Sequence, residues 1–227
     1  MDNEEIKNKI KYINKEIKTF KDDNHNRIEN IRKLKFYEFE EFINVSEMIE
    51  SYLSELTDEI ETLLPKDIDI QSIYFLLYEI LINVYKHSKF KNAYVKVDSN
   101  DIINILIIDD GIGIPGSFKE SSIEFNNDSE AIFDALNGKT TDKEKYNLHG
   151  RGLNSTARIT TLGFKGEMIV FSGKGICIIT KEGIKTCENE KYVNGTLISL
   201  KIPNKKVDNI YNYLKHEKIN KIKEVEL

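Results

Sequence analysis

The stretch from Gln71 to Ser88 constrains this chain more than any other. Ile73, Leu76, Leu77, Ile80, Leu81 and Val84 recur at i, i+3, i+4, i+7, i+8 and i+11, the stripe of an amphipathic helix lying on a sheet. At roughly 100° per residue, Glu79, Asn83 and Lys86 fall along one flank of that stripe. A carboxylate, an amide and an ammonium at the border between core and solvent imply something docked there. The counterpart is Ile102 to Ile108, an almost unbroken apolar run that reads as a buried strand. It ends in Asp109 and a turn carrying Gly111 and Gly113, glycines that let backbone turn tightly and approach a ligand. A carboxylate at a strand end, facing a Glu/Asn/Lys helix edge across a glycine turn, suits a ligand with a hydrogen-bond donor at one end and phosphates at the other.

The remaining chain reads as alternating helices and strands. Residues 1–34 are rich in Lys, Glu and Asn, with isoleucines at 6, 10, 13 and 17 as their apolar thread. That narrow seam serves either a solvated helix packing lightly on the domain or a dimer or partner helix. His25 stands without the histidine box of a phospho-accepting hairpin and reads as a surface residue. Lys33 to Ile43 alternates loosely as an edge strand, and Ser46 caps a helix from Glu47 to about Leu64 that Pro65 stops. A second helix runs from about Asp69 to Ser88. Ala93–Val97 and Ile102–Ile108 make a hairpin around Ser99-Asn100-Asp101.

From Pro115 to about Leu148 the chain is polar, with one short amphipathic piece at Ile132, Phe133 and Leu136. Such a length without regular structure reads as a functional lid. Asn137-Gly138-Lys139-Thr140-Thr141 inside it is not a P-loop, because Phe133 stands at the upstream glycine position and no strand precedes it. Gly152 to Leu162 reads as a helix whose first turn offers free N–H groups to phosphates. Met168–Phe171, Ile176–Thr180 and Thr196–Ile202 complete an antiparallel meander, with Ser172-Gly173-Lys174-Gly175 as a hairpin turn. Residues 205–227 read as a charged C-terminal helix.

The 227 residues, 40% hydrophobic and 31% charged, suffice for one good-sized domain plus an appendage. A net charge of −5 gives no reason to expect nucleic acid as the partner. No apolar run approaches the ~18 residues of a membrane span, and no signal peptide is visible. Cys177 and Cys187 fit a reducing compartment without a disulfide framework. A cytoplasmic protein is expected. Cys177 belongs to a core strand, His149 has no evident partner, and metal-ligand spacing is absent.

Four motifs resemble those of the Bergerat-fold (GHKL, histidine-kinase-like) ATPases, which include histidine kinases, anti-sigma-factor kinases, DNA gyrase B, mismatch-repair ATPases and the heat-shock chaperone ATPase. Glu79-x-x-x-Asn83-x-x-Lys86-His87 resembles their N-box. Asp109-Asp110-Gly111-Ile112-Gly113-Ile114 resembles the first glycine box and His149-Gly150-Arg151-Gly152-Leu153 the second. Gly195-Thr196, leading to Pro203, resembles the closing strand, and Gly138-Lys139-Thr140-Thr141 resembles a lid segment. The motifs stand in the family order from about residue 70 to 204. The second box departs from the fuller pattern, since Asn154 follows Leu153 where another glycine is usual.

The resemblance implies an α/β (α+β) two-layer sandwich: a mixed, mainly antiparallel sheet with helices on one face, over residues 35–204, with the lid at about 115–149. It implies ATP and Mg2+ as ligands. Asn83 would hold Mg2+ through its side-chain oxygen, and Glu79 would act as general base. Lys86 and His87 would lie near phosphates or ribose. Asp109 would accept from the adenine amino group, within a pocket shaped by Gly111, Gly113 and Ile114. Gly150, Gly152 and Leu153 would bring backbone amides to the phosphates, and Thr196 would lie near the base. The expected function is a Mg-ATP-binding regulatory protein that phosphorylates a serine of a partner protein, in the anti-sigma manner. The alternatives are the catalytic half of a split two-component histidine kinase, or a nucleotide-gated interaction module without phosphoryl transfer. A homodimer through the N-terminal helix is a further expectation, with neither nucleic acid nor membrane as partner.

Overall fold

The computed structural model describes residues 3–21, 31–33, 47, 49–54, 61, 68–99, 102–141, 152–204, 206–207, 209–215 and 217–224. His25, His149, Gly150, Arg151, most of the expected edge strand, much of the Ser46-capped helix and the turn at residues 100–101 lie outside the described residues. α1 spans Asn3–Lys21, and residues 49–54 form a second helical piece, α2.

α3 spans Ile70–Asn83 and starts where a good cap stands. The Asp69 carboxylate accepts from Ser72 N at 3.3 Å and from Ser72 Oγ at 2.6 Å. Its stripe of Ile73, Leu76, Leu77, Ile80 and Leu81 is buried. After Asn83 the helix widens into a π turn, Val84–Ser88. The hairpin read from the sequence is present as β2 (Ala93–Ser99) and β3 (Ile102–Asp109). β4 (Glu167–Thr180) pairs with β5 (Gly183–Pro203), and β5 lies beside β3. With β1 (Ile31–Lys33), the strand order is β1-β2-β3-β5-β4, all antiparallel, and β6 (Lys221–Glu224) joins β5 in parallel. The expected sandwich with a mixed, mainly antiparallel sheet is found.

Alternate residues of each strand serve opposite faces. Val95, Ile105, Ile107, Ile198 and Leu200 pack with α2 and α3 in the main core. Leu106, Ile108, Ile169, Phe171 and Ile176 form a second core on the other face, closed by Ile6, Ile10, Ile13 and Ile17 of α1. Ile102 to Ile108 reads as nearly continuous apolar sequence because both faces of β3 are covered. The isoleucine seam therefore packs on the chain's own sheet, and α1 is not a lightly attached appendage. Ion pairs from Lys9 to Glu167 and from Lys96 Nζ to Glu16, the latter at 3.1 Å, border this contact.

Three readings are corrected by the packing. Ser172-Gly173-Lys174-Gly175 is no hairpin turn: β4 runs through it with a bulge, and the chain reverses at Lys181 and Glu182. The first turn of α5 (Asp128–Leu136) lies against this stretch, with Asp128 Oδ2 accepting from Lys174 N at 2.8 Å. A Cβ on Gly175 would stand 2.4 Å from Ser129 N, so the glycine permits the approach. The polar stretch read from Pro115 to about Leu148 carries more regular structure among its described residues than the one amphipathic piece, which is α5: it begins within a further helix, α4 (Gly113–Glu120, with Pro115 in its first turn). The expected C-terminal helix is not formed by the described residues. They make a 3-10 turn, Ile210–Tyr213, and then β6, because pairing with β5 and side chains of the main domain take up backbone groups there.

Ile13, 0% exposed, sits at the middle of the second core. Ile13→Ala is expected to lower unfolding free energy by about 2–4 kcal/mol, measured by urea denaturation. Unchanged stability would mean that α1 does not hold this face.

Candidate nucleotide pocket

A cavity of about 410 Å3 opens between the end of α3, the end of β3, Thr196 and Ile198 of β5, α4, and the residues from Ala135 to Thr141. Strand parity decides which carboxylate reaches it. Asp109 follows Ile103, Ile105 and Ile107 onto the face covered by α3 and is 3% exposed on the cavity wall. Asp110 points away and accepts from Lys91 N and Asn92 N, both at 2.8 Å, and from Asn92 Nδ2 at 2.9 Å. Burial pushes the Asp109 carboxyl from 3.8 up to about 7, against the amides of Gly111 and Thr196 that donate to it, while Asp110 adds to the rise.

The end of α3 places the rest of the N-box. Lys86 and His87, three and four residues beyond Asn83, flank it on opposite sides with His87 toward the buried stripe, and the wider π turn brings Ser88, five residues on, back to the same side. Asn83, Val84, His87 and Ser88 line the cavity, while Lys86 is exposed and off its wall. His87 Nδ1 lies 3.4 Å from Thr141 Oγ1, which ties the turn to the segment after α5. Asn83 Nδ2 donates to Glu79 O at 2.9 Å, so its amide oxygen is the end left for a cation. Glu79 itself is buried and not on the wall.

Gly113, Ile114, Gly152, Leu153 and Thr196 all border the cavity. α6 (Leu153–Arg158) begins at Gly152 and passes into a second π turn, Ile159–Gly163. Gly111 is not on the wall and acts as a spacer. A Cβ there would stand 2.0 Å from Ser88 O, and Ile112 N donates to that same oxygen at 2.7 Å.

Motif reading missed three residues. Ser172 Oγ accepts from Ile114 N at 2.9 Å, donates to Gly195 O at 2.8 Å and lies 3.2 Å from Thr196 Oγ1. One hydroxyl thus joins the start of α4 to β5 beside Asp109. Ser88 and Asn154 line the cavity, and Ser88 Oγ and Asn154 Oδ1 are buried without a hydrogen-bond partner among the described residues. Signals for them existed: Ser88 directly follows the N-box, and Asn154 occupies the position of a missing glycine.

These features test the fit to a nucleotide. Ile80, Val84, Ile107 and Ile198 give apolar wall for a flat ring. Leaving buried polar atoms unpaired costs about 1–3 kcal/mol each, and a polar ligand can complete them. Among the described residues no three His, Cys, Asp or Glu side chains converge as a metal site, so a cation here would share the Asn83 amide oxygen with ligand oxygens and water.

A sequence model of the histidine kinase-, DNA gyrase B-, and HSP90-like ATPases matches residues 68–206, and the chain belongs to that family. Its α1, α2 and everything from Val207 onward lie outside the matched region. Among solved structures, the histidine kinase domain from the Erythrobacter litoralis EL346 blue-light activated histidine kinase is 14% identical over 72% of this chain, with a TM-score of 0.30. The chain spans 63% of that domain's length. No curated protein matches the chain. No helix among the described residues is long and apolar enough to cross a membrane.

Because the folded Asp109 carboxyl holds its proton up to about 7, the folded state binds more protons than the unfolded one between its ordinary value and that pH. Stability contributed here is present at low pH and declines as pH rises toward 7. Asp109→Asn removes this decline. Without nucleotide, the variant is expected to melt above wild type at pH 8, with the gap closing toward pH 4. A variant melting at or below wild type at pH 8 would contradict the assignment.

Proposed function

We propose that this chain binds ATP with Mg2+ in the cavity beside α3 and phosphorylates a serine of a partner protein, as a regulatory kinase of the anti-sigma type. The observation that carries the nucleotide reading is Asp109, a desolvated carboxylate 3% exposed on an apolar-lined cavity wall. A carboxylate in that place accepts from an amino group, which adenine offers, whereas the 6-oxo group of guanine would set acceptor against acceptor. Asn83 would hold the Mg2+, which when bound offsets phosphate charge, and Gly152 and Leu153 border the phosphate end.

In the transfer reading, Glu79 takes the proton of the serine hydroxyl as that oxygen bonds to the γ-phosphorus and the bond to the β-phosphate oxygen breaks. The buried position of Glu79, off the cavity wall, favours a second reading. There, nucleotide orders the segment after α5 and the ordered surface binds a partner without transfer.

Titration calorimetry with a non-hydrolysable ATP analogue and Mg2+ tests the site. Wild type is expected to bind in the micromolar range, more tightly at pH 8 than at pH 6 as Asp109 ionises. Asp109→Asn should weaken binding about 10- to 100-fold and abolish that pH dependence. No binding by either protein would overturn the proposal. Glu79→Ala separates the two uses of the nucleotide: transfer predicts that binding survives and partner phosphorylation is lost. Partner regulation that persists in the variant supports the interaction module. Acid-stable phosphate on the partner identifies serine, and acid-labile phosphate identifies the histidine acceptor of a split kinase.

A further inference from the structure

Polar side chains reach from the cavity region to the chain beyond the family-matched residues. Asn137, on the cavity wall, grips Ile219 at both backbone atoms: Oδ1 accepts from Ile219 N at 2.8 Å and Nδ2 donates to Ile219 O at 3.4 Å. The same Nδ2 lies 3.1 Å from Phe133 O, which anchors the amide to the end of α5. Asn154, also on the wall, donates through Nδ2 to Leu136 O at 2.7 Å and to Glu217 O at 3.1 Å. One amide therefore joins α5, α6 and the C-terminal segment. One turn further along α6, Arg158 donates to Tyr213 O at 3.2 Å, to Lys215 O, and to Glu217 Oε2 at 2.7 Å.

Packing follows the same route. Val207 is buried in the main core, and Ile210, Tyr213, Leu214 and Ile219 pack against it. Asn220 O then accepts from Ile184 N at 2.9 Å, and β6 aligns on β5.

We propose that the C-terminal segment from Tyr213 to Glu224 supports the wall of the nucleotide cavity, with Asn137, Asn154 and Arg158 as positioning residues, so that nucleotide binding and docking of this segment reinforce each other. The inference rests on the ATP-binding reading and adds to it a regulatory handle outside the family-matched region. Arg158 is 5% exposed. Its three acceptors all belong to the segment, and a buried guanidinium stripped of them is strongly disfavoured. The segment therefore leaves only if α6 rearranges, and α6 carries Leu153 and Asn154 on the cavity wall. Asn137 lies at the base of Gly138–Thr141, so undocking also frees the segment bordering the opening. The Asn154 nitrogen is committed to two carbonyls, which leaves its unpaired Oδ1 to accept from a donor that arrives with the ligand. By linkage, whatever factor docking adds to nucleotide affinity, nucleotide adds to docking. A partner that seizes β6 would act on the nucleotide site through this junction.

Hydrogen–deuterium exchange on the full chain, with and without the non-hydrolysable ATP analogue and Mg2+, tests the coupling. Amides of residues 217–224 are expected to exchange about 5-fold more slowly with nucleotide, alongside protection of residues 109–118 at the cavity. Asn137→Ala should weaken nucleotide binding about 5-fold and erase the response of residues 217–224 while residues 109–118 still respond. Protection confined to residues 109–118 in wild type overturns the coupling and leaves the ATP reading standing. Protection in neither region overturns both. A segment response that survives Asn137→Ala also overturns the assignment. Arg158→Lys, which keeps the charge but loses the fork, should restore part of the response that Arg158→Ala removes.

Discussion

Strand β3 has partner strands on both edges and apolar cover on both faces, and that double enclosure positions the carboxylate at its end. β2 and β5 hold it by paired backbone bonds, α3 covers one face and α1 the other. A strand so placed cannot slip by one residue without turning its isoleucines inside out. Asp109 is therefore held on the face that α3 covers, in surroundings that penalise its charge. The carboxyl is pushed up to about 7 by burial, a stability loss that proteins retain where a ligand completes the group.

The second determinant is the π turn that ends α3. By widening the helix after Asn83, it brings Ser88 round beside Asn83 and His87 on the cavity wall, while Lys86 stays in solvent. It also brings Ser88 O against Gly111, where no side chain fits, and Ile112 N bonds to the same oxygen. N-box and first glycine box are thus locked together by backbone, with side chains free to face the cavity. Ser172 completes the arrangement from the other side by tying Ile114 to Gly195.

Segments outside the family-matched region are structural parts of this domain. α1 makes the second face of the sheet dry, which the apolar even-numbered residues of β3 require. The C-terminal segment fills the space beside α6 and gives Arg158 its acceptors. Charged composition alone reads such pieces as solvated, because lysines and glutamates dominate the count while a few isoleucines and backbone carbonyls make the contacts.

What the sequence determined by itself was whatever depends on short-range period and local chemistry. The 3.6-residue stripe of α3 and its start near Asp69, the β2–β3 hairpin and the two-layer class were legible, and so were Asp109, Asn83, Gly113, Gly152 and Thr196 as neighbours of one cavity. What only the tertiary structure decided was every feature set by contacts distant in sequence. The bulge at Gly173 forms because α5 lies on the strand, and β6 forms because β5 offers an edge. The return of Ser88 to the side of Asn83 arises from a helix widening that a uniform 100° wheel does not contain. The roles of Ser172, Asn154 and Arg158 stayed hidden for the same reason: a hydroxyl, an amide or a guanidinium has no function until folding delivers its partners, here from residues 18 to 63 positions away.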